Sequence, residues 1–149
     1  MTLDHAAITA LVPQRGAMCL LARMAAWAPE RIDCIATNHR DPGHPLRTAG
    51  GLMASAAIEY GAQAAALHGA LGARAAGTEA APGYLASARD VRLERWRLDD
   101  LPPAEPDELQ VAALRQAGDA TRLLYAFTVS HAGRQIASGR LAVVLEAQG

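Results

Sequence analysis

The chain has 149 residues, of which 51% are apolar and 19% charged, the profile of one folded domain with a real core and not of a disordered chain. Its net charge is −1, so no basic surface advertises nucleic acid. All 14 basic residues are arginine, and the absence of lysine excludes Schiff-base chemistry and a phosphate-loop lysine.

Thr2 or Asp4 can cap a short first helix that ends near Val12, ahead of Pro13. The same segment has no basic region followed by an apolar stretch, so no signal peptide is expected and the chain is read as cytoplasmic. Met18 to Trp27 is an apolar run that reads as a strand, and Ala28-Pro29-Glu30 as a turn. Arg31 to Thr37 follows as a shorter strand of imperfect period. Cys19 and Cys34 fall on these two predicted strands. Without a secretion signal or zinc spacing, the pair reads as two buried thiols, with a disulfide as the alternative. Asn38 to Ala49, NHRDPGHPLRTA, is a loop by its glycine, prolines and charges.

Gly50 to Leu71, GGLMASAAIEYGAQAAALHGAL, is the stretch the rest of the chain is organised around. It has no proline, and its composition predicts a long helix buried on most sides. Glu59 and Gln63 stand one turn apart and share a face. A carboxylate is rarely buried without a partner, so Glu59 is either part of an exposed polar stripe or a catalytic acid on a buried helix. Glu59, Gln63 and His68, with alanine in place of leucine, argue against a membrane span. Gly61 weakens the helix by about 1 kcal/mol relative to alanine. It therefore points to a close backbone approach, such as a partner helix across a dimer.

Ala73 to Gly83 reads as a linker, and every later signal is strand. In Tyr84 to Leu98, Val91 and Leu93 share one parity while Trp96 and Leu98 take the other, which predicts a bulge or bend near Glu94–Arg95. Leu101 to Asp107 is a proline-rich loop, and Glu108 to Ala117 a strand. Leu123, Tyr125, Phe127 and Val129 alternate across the next strand. Ala132-Gly133 makes a hairpin turn into a last strand, Gln135 to Leu145. Two strands, one long small-residue helix and four antiparallel strands predict an α+β domain over residues 1–149. The geometry is that of the hotdog fold, a curved antiparallel sheet wrapped round one central helix.

Three pieces of the sequence now carry a resemblance. Leu11 to Met24, LVPQRGAMCLLARM, is similar to the opening of the 3-hydroxyacyl-acyl-carrier-protein dehydratases of fatty-acid synthesis, roughly L-L-P-H-R-x-P-x-L-L-L-D-R-V. Gly43-His44-Pro45 falls where that family has Gly-His-Phe-Pro, and Glu59 to Gln63, EYGAQ, resembles its E-x-M-A-Q. The likeness continues through GYLASARDVRL and covers nearly the whole chain. The Glu-Tyr pair and the missing prolines most resemble the divergent dehydratase-like branch associated with aryl polyene pigment clusters. The chain departs from the pattern in three places. Leu46 follows Pro45 without the usual Phe, Gly50-Gly51 replaces Pro-Gly, and Gly61 stands where methionine is usual.

The resemblance implies dehydration of a 3-hydroxyacyl thioester, with His44 as base and Glu59, from the other subunit of a dimer, as acid or water-binding group. Such chemistry needs a base, an acid and a donor for the thioester oxygen. The expected oxygen donor is a backbone N–H near Gly50, Gly51 and Leu52 at the helix N-terminus. Gln63 is expected to orient Glu59 or to bond the main chain. His39 shares the loop and is the alternative base. His5 and His131 read as ordinary exposed histidines, and His68 as packing against a strand. Tyr60 and Trp27 read as core or tunnel wall. The arginines at 89, 92, 95 and 97 either meet a carrier protein or a phosphopantetheine phosphate, or form a solvated strand face. No metal, nucleotide or flavin motif is present, so no cofactor is expected. The implied partners are an acyl carrier protein or coenzyme A thioester and a second copy of the chain. Thioester hydrolysis with Glu59 activating water, and a non-catalytic subunit that binds carrier protein or an active partner, remain alternatives on the same fold.

Overall fold

The computed structural model describes residues 2–79 and 83–145. Part of the expected linker, Ala80 to Pro82, lies outside the described residues.

The elements run β1 (Leu3–Asp4), α1 (His5–Thr9), β2 (Arg23–Ala28), β3 (Arg31–Ala36), α2 (Ala57–Ala75), β4 (Gly83–Leu93), β5 (Leu109–Gly118), β6 (Arg122–His131) and β7 (Arg134–Leu145). Among the described residues, seven strands join one antiparallel sheet in the order β1-β2-β3-β5-β6-β7-β4. The expected α+β hotdog architecture is the one observed. α2 lies across the inner face of the sheet, mainly against β3, β5 and β6.

The strand period of two decides what faces the helix. Ile32, Cys34 and Ala36 of β3, Leu109, Val111 and Ala113 of β5, and Tyr125, Phe127 and Val129 of β6 are all buried. α2 answers with Ala57, Tyr60, Gly61, Ala64, Leu67, His68 and Leu71, spaced three and four apart along one face. Its opposite positions, including Ile58, Ala62, Ala66 and Ala70, are half-buried, so within one chain the helix has a core face and a partly open face. Among the described residues, no helix is long and apolar enough to cross a membrane.

Several boundaries differ from expectation for identifiable reasons. Asp4 caps α1 by accepting from the Ala7 amide at 2.9 Å, and α1 then ends at Thr9. Residues 19–22 are not laddered as part of β2. Gln63 takes the Leu20 amide, and β2 begins only at Arg23. Cys19 therefore precedes the sheet. Both cysteines are buried and unbonded, and burial pushes the Cys34 thiol up to about 12.

The central helix starts seven residues later than predicted, after a 3-10 turn at Ala54–Ala56, and runs on to Ala75. Thr48 and Gly51 bridge each other around a tight turn at residues 49–50, and Met53 bridges Arg97, which keeps residues 48–53 out of the helix. Gly51 sits at φ +109°, and a Cβ there would lie 2.7 Å from both Arg97 Nε and Asp99 Oδ2. Only glycine fits that crossing.

The chain bends at Glu94 and again at Trp96, as expected near Glu94–Arg95, and β4 itself carries two register shifts, between Leu85 and Ser87 and between Arg89 and Arg92. β4 simply ends at Leu93. Beyond it Trp96 is exposed while Leu98 is buried. Gly61 admits a strand and not a second helix. A Cβ on it would meet Cγ of the Phe127 ring at 2.6 Å.

Candidate active site

The loop between β3 and α2 carries His44, and two carboxylates tie that loop to the sheet. Asp107, just ahead of β5, accepts from His39 Nε2 (3.1 Å), His131 Nε2 (2.9 Å) and the Arg40 guanidinium at Nε (2.6 Å) and a terminal nitrogen (3.2 Å). Arg40 also donates to the Asp99 carbonyl. The Asp99 carboxylate, 4% exposed, accepts from Arg97, Arg47 and the Leu52 amide. The Arg40 guanidinium holds Asp107, and the Arg97 guanidinium holds Asp99, well below the usual carboxylate range.

His39, Asp107 and His131 bring three potential metal-ligating atoms within 4.8 Å of one another. The Asp107 carboxylate is already saturated by N–H donors and neutralised by Arg40, so the cluster is an anchor for the loop. His131 is thus not an exposed turn residue but 4% exposed, and His39 is fully buried in the same anchor. Neither histidine was recognisable as part of it from sequence, because their common carboxylate is 68 and 24 residues away.

His44 is 4% exposed and borders a cavity of ≈ 360 Å³ together with Asn38, Asp41, Cys19, Leu21 and His5. The Leu46 amide donates to His44 Nδ1 at 3.0 Å, so a neutral His44 carries its proton on Nε2. Burial lowers its pKa and favours that neutral form. Nε2 lies 3.0 Å from the Tyr60 hydroxyl, which in turn donates to Asn38 Oδ1 at 2.5 Å. Tyr60 is therefore core, as expected, but also polar machinery; burial raises its own pKa.

Glu59 stands on the partly open side of α2. Gln63 Nε2 donates to its Oε1 at 3.1 Å and to the Met18 carbonyl at 2.8 Å, while Gln63 Oε1 accepts from the Leu20 amide. Gln63 thus touches both the carboxylate and the main chain. No hydrogen bond joins His44 and Glu59 among the described residues of one chain. The three expected oxygen donors are engaged: Gly50 N–H by Thr48 Oγ1, Gly51 N–H by the Thr48 carbonyl, and Leu52 N–H by Asp99. An oxyanion role for any of them would require one of those bonds to open.

A second and larger cavity, ≈ 770 Å³, lies between the far half of α2 and strands β5–β7. Its wall includes His68, whose Nε2 donates to the Ala28 carbonyl and whose Nδ1 accepts from the Tyr125 hydroxyl, both at 2.8 Å. This is the strand packing predicted for it. Arg97 is committed to Asp99, and Arg89 and Arg92 are exposed on β4.

The sequence matches the model of the ApeP-like family, described as ApeP dehydratase, over residues 6–148. The chain belongs to the ApeP-like dehydratase family. Solved structures carry the same fold. A chain of the dehydratase heterocomplex ApeI:P from Xenorhabdus doucetiae matches with a TM-score of 0.82 and 20% identity, covering 95% of this chain and 91% of that one. The smu.793 protein of Streptococcus mutans bound to acetyl CoA matches at 0.59 and 10% identity, covering 84% and 88%. Thioesterase superfamily member 2 of Mus musculus matches at 0.56 and 15%, covering 83% and 80%. No protein of curated function matches the sequence.

Three histidines give this family member a definite acid response. Burial lowers the pKa of His39, His44 and His68 below the ordinary value of 6.5. The folded chain then binds fewer protons than the unfolded chain, so stability is full above pH 6.5 and is lost as pH falls toward the folded values. Urea midpoints are expected to decline from pH 7.5 to pH 5. A flat profile across that range would show that these rings titrate as freely as in the unfolded chain.

Proposed function

We propose that the chain dehydrates a 3-hydroxyacyl thioester carried by an acyl carrier protein to the trans-2-enoyl thioester, in the cytoplasm and as one half of a dimer. The family match over residues 6–148 carries this reading. The step removes a proton from C2, expels the C3 hydroxyl as water after it gains a proton, and forms the C2=C3 bond. His44 is the proposed base, and Glu59, supplied by the other subunit, the acid. Glu59 lies on the helix side left partly open within one chain, and among the described residues the 11-residue β4 is an edge strand with no partner on its outer side. Such an edge is a template for a second subunit.

Base duty makes a demand on His44. It must release Tyr60 and move its proton to Nδ1, turning the Leu46 amide away. Two net hydrogen bonds amount to roughly 2 kcal/mol. General base catalysis contributes 10²- to 10⁴-fold, about 3–5 kcal/mol, so the rearrangement is supportable on substrate binding.

The same observation favours a second reading. With both ring nitrogens engaged inside the chain, this subunit serves as the binding half of a complex whose partner chain supplies the proton acceptor. A heterocomplex of dehydratase chains, as described for ApeI:P, is the precedent for that arrangement.

Enoyl-thioester absorbance on a carrier-bound 3-hydroxyacyl substrate tests both. Native homodimer is expected to turn over, with His44→Ala and Glu59→Gln each at least about 100-fold slower. Activity that appears only after a second dehydratase-like chain is added, and that survives His44→Ala, selects the binding-subunit reading. Thiol release without enoyl product would sink both in favour of hydrolysis.

A further inference from the structure

With the backbone amides of residues 50–52 engaged, a thioester oxygen bound beside His44 needs a donor from elsewhere, and the hydrogen-bond chain behind His44 supplies one. Leu46 N–H donates to His44 Nδ1, which leaves the ring hydrogen on Nε2. Nε2–H can then only donate to the Tyr60 oxygen, and the Tyr60 hydrogen is directed to Asn38. Asn38 must therefore present Oδ1 to Tyr60. The opposite setting, with Asn38 Nδ2 donating to Tyr60, would have Tyr60 donate to His44 Nε2. That would drive the ring proton onto Nδ1 against the Leu46 amide. One backbone N–H thus sets the direction of three side chains and decides an amide orientation that geometry alone leaves ambiguous.

The consequence falls at the cavity. Asn38 is half-buried and borders the ≈ 360 Å³ space beside His44. Its Nδ2 has no hydrogen-bond partner among the described residues, while its Oδ1 is held at 2.5 Å by a fully buried tyrosine. An oriented amide whose two N–H bonds are unspent among the described residues, on the wall of that cavity, is a preorganised donor.

We infer that Asn38 Nδ2 donates the hydrogen bond to the acyl thioester carbonyl in the cavity beside His44, with Tyr60 as its positioning residue. The identification of the ligand as an acyl thioester rests on the dehydratase reading above; the donor itself rests on the hydrogen-bond chain.

The test uses the full chain and butyryl-pantetheine carrying ¹³C at the thioester carbonyl, an unreactive probe read by infrared difference spectroscopy. The bound carbonyl stretch is expected to move to lower frequency in the native protein. The shift should vanish in Asn38→Ala and weaken in Tyr60→Phe, with folding of each variant checked by circular dichroism. In turnover, Asn38→Ala is expected to lower kcat about 100-fold with a smaller change in KM, the pattern of a donor used in the transition state. A native carbonyl that binds without a shift, fails to bind, or shifts equally in Asn38→Ala overturns the inference. A shift that depends on Asn38 in a protein without dehydratase turnover would retain the donor and remove the catalytic reading.

Discussion

Asp107→Ala is expected to lower stability by about 3 kcal/mol, the lower end of the range for breaking a buried ion pair, because the Asp107 side chain is itself 34% exposed. Its removal strands three donors at once. His39 is fully buried, with Nδ1 already unpartnered, and His131 is 4% exposed. Arg40 would keep only its carbonyl contacts to Asp99 and Pro102. Asp107→Asn retains an acceptor oxygen but not the charge that Arg40 neutralises, so it should fall between native and alanine. Surface pairs offer the control. Arg140 and Asp90 stand 3.7 Å apart at 66% and 72% exposure, and Arg140→Ala should change stability by less than about 0.5 kcal/mol. Chemical denaturation followed by circular dichroism measures all three. If Asp107→Ala matched Arg140→Ala, the anchor would be ornamental.

The anchor also bears on chemistry. His39 and Arg40 precede His44 in one loop, and the loop's other end is held by Asp99 through the Leu52 amide. Loosening either end displaces the loop that positions the His44 ring. Asp107→Ala should therefore lose the proposed dehydratase activity at temperatures where it is still folded.

Gly61→Val is expected to cost about 3 kcal/mol, at the upper end for overpacking a core. Helix propensity alone argues the other way, since most residues favour a helix interior over glycine by up to about 1 kcal/mol. The contact decides. A Cβ on Gly61 would lie 2.6, 2.7 and 2.9 Å from Cγ, Cδ2 and Cβ of Phe127, closer than real side chains approach. The ring cannot swing aside freely, because its far edge packs on Gly139, where a Cβ would meet Phe127 Cε1 at 2.8 Å. Gly61→Val combined with Phe127→Leu should recover part of the loss, since the two residues share one volume. Equal stability of Gly61→Val and the native chain, by thermal denaturation, would contradict the packing.

Much of this was open to reading from residues in order. The alternation of Tyr125, Phe127 and Val129, the turn at Ala132-Gly133 and the small-residue helix each declare themselves through a local period, because burial repeats every two residues in a strand and every three to four in a helix. His44 and Glu59 stood out by type and setting, and Gln63 by its place one turn beyond Glu59. Asn38 and Tyr60 did not. One opens a loop among other polar residues, and the other looks like an aromatic core position; nothing local says that their side chains meet 22 residues apart. The helix start was misplaced for the same kind of reason. Gly50-Gly51 resembles a flexible entry, yet it closes a tight turn packed against Arg97 and Asp99, more than 40 residues later.

By itself, then, the sequence determined the fold class, the run of strands and helix, and which residue types stand near the candidate site, since hydrophobic periodicity and turn chemistry act over a few neighbouring residues. Only the tertiary structure decided the anchor at Asp107, the occupation of the amides of residues 50–52 and the direction of the hydrogen bonds from Leu46 to Asn38. Each of those depends on a donor or acceptor that the folded sheet brings from a distant part of the chain, and a hydrogen bond is selective only once both partners have been placed.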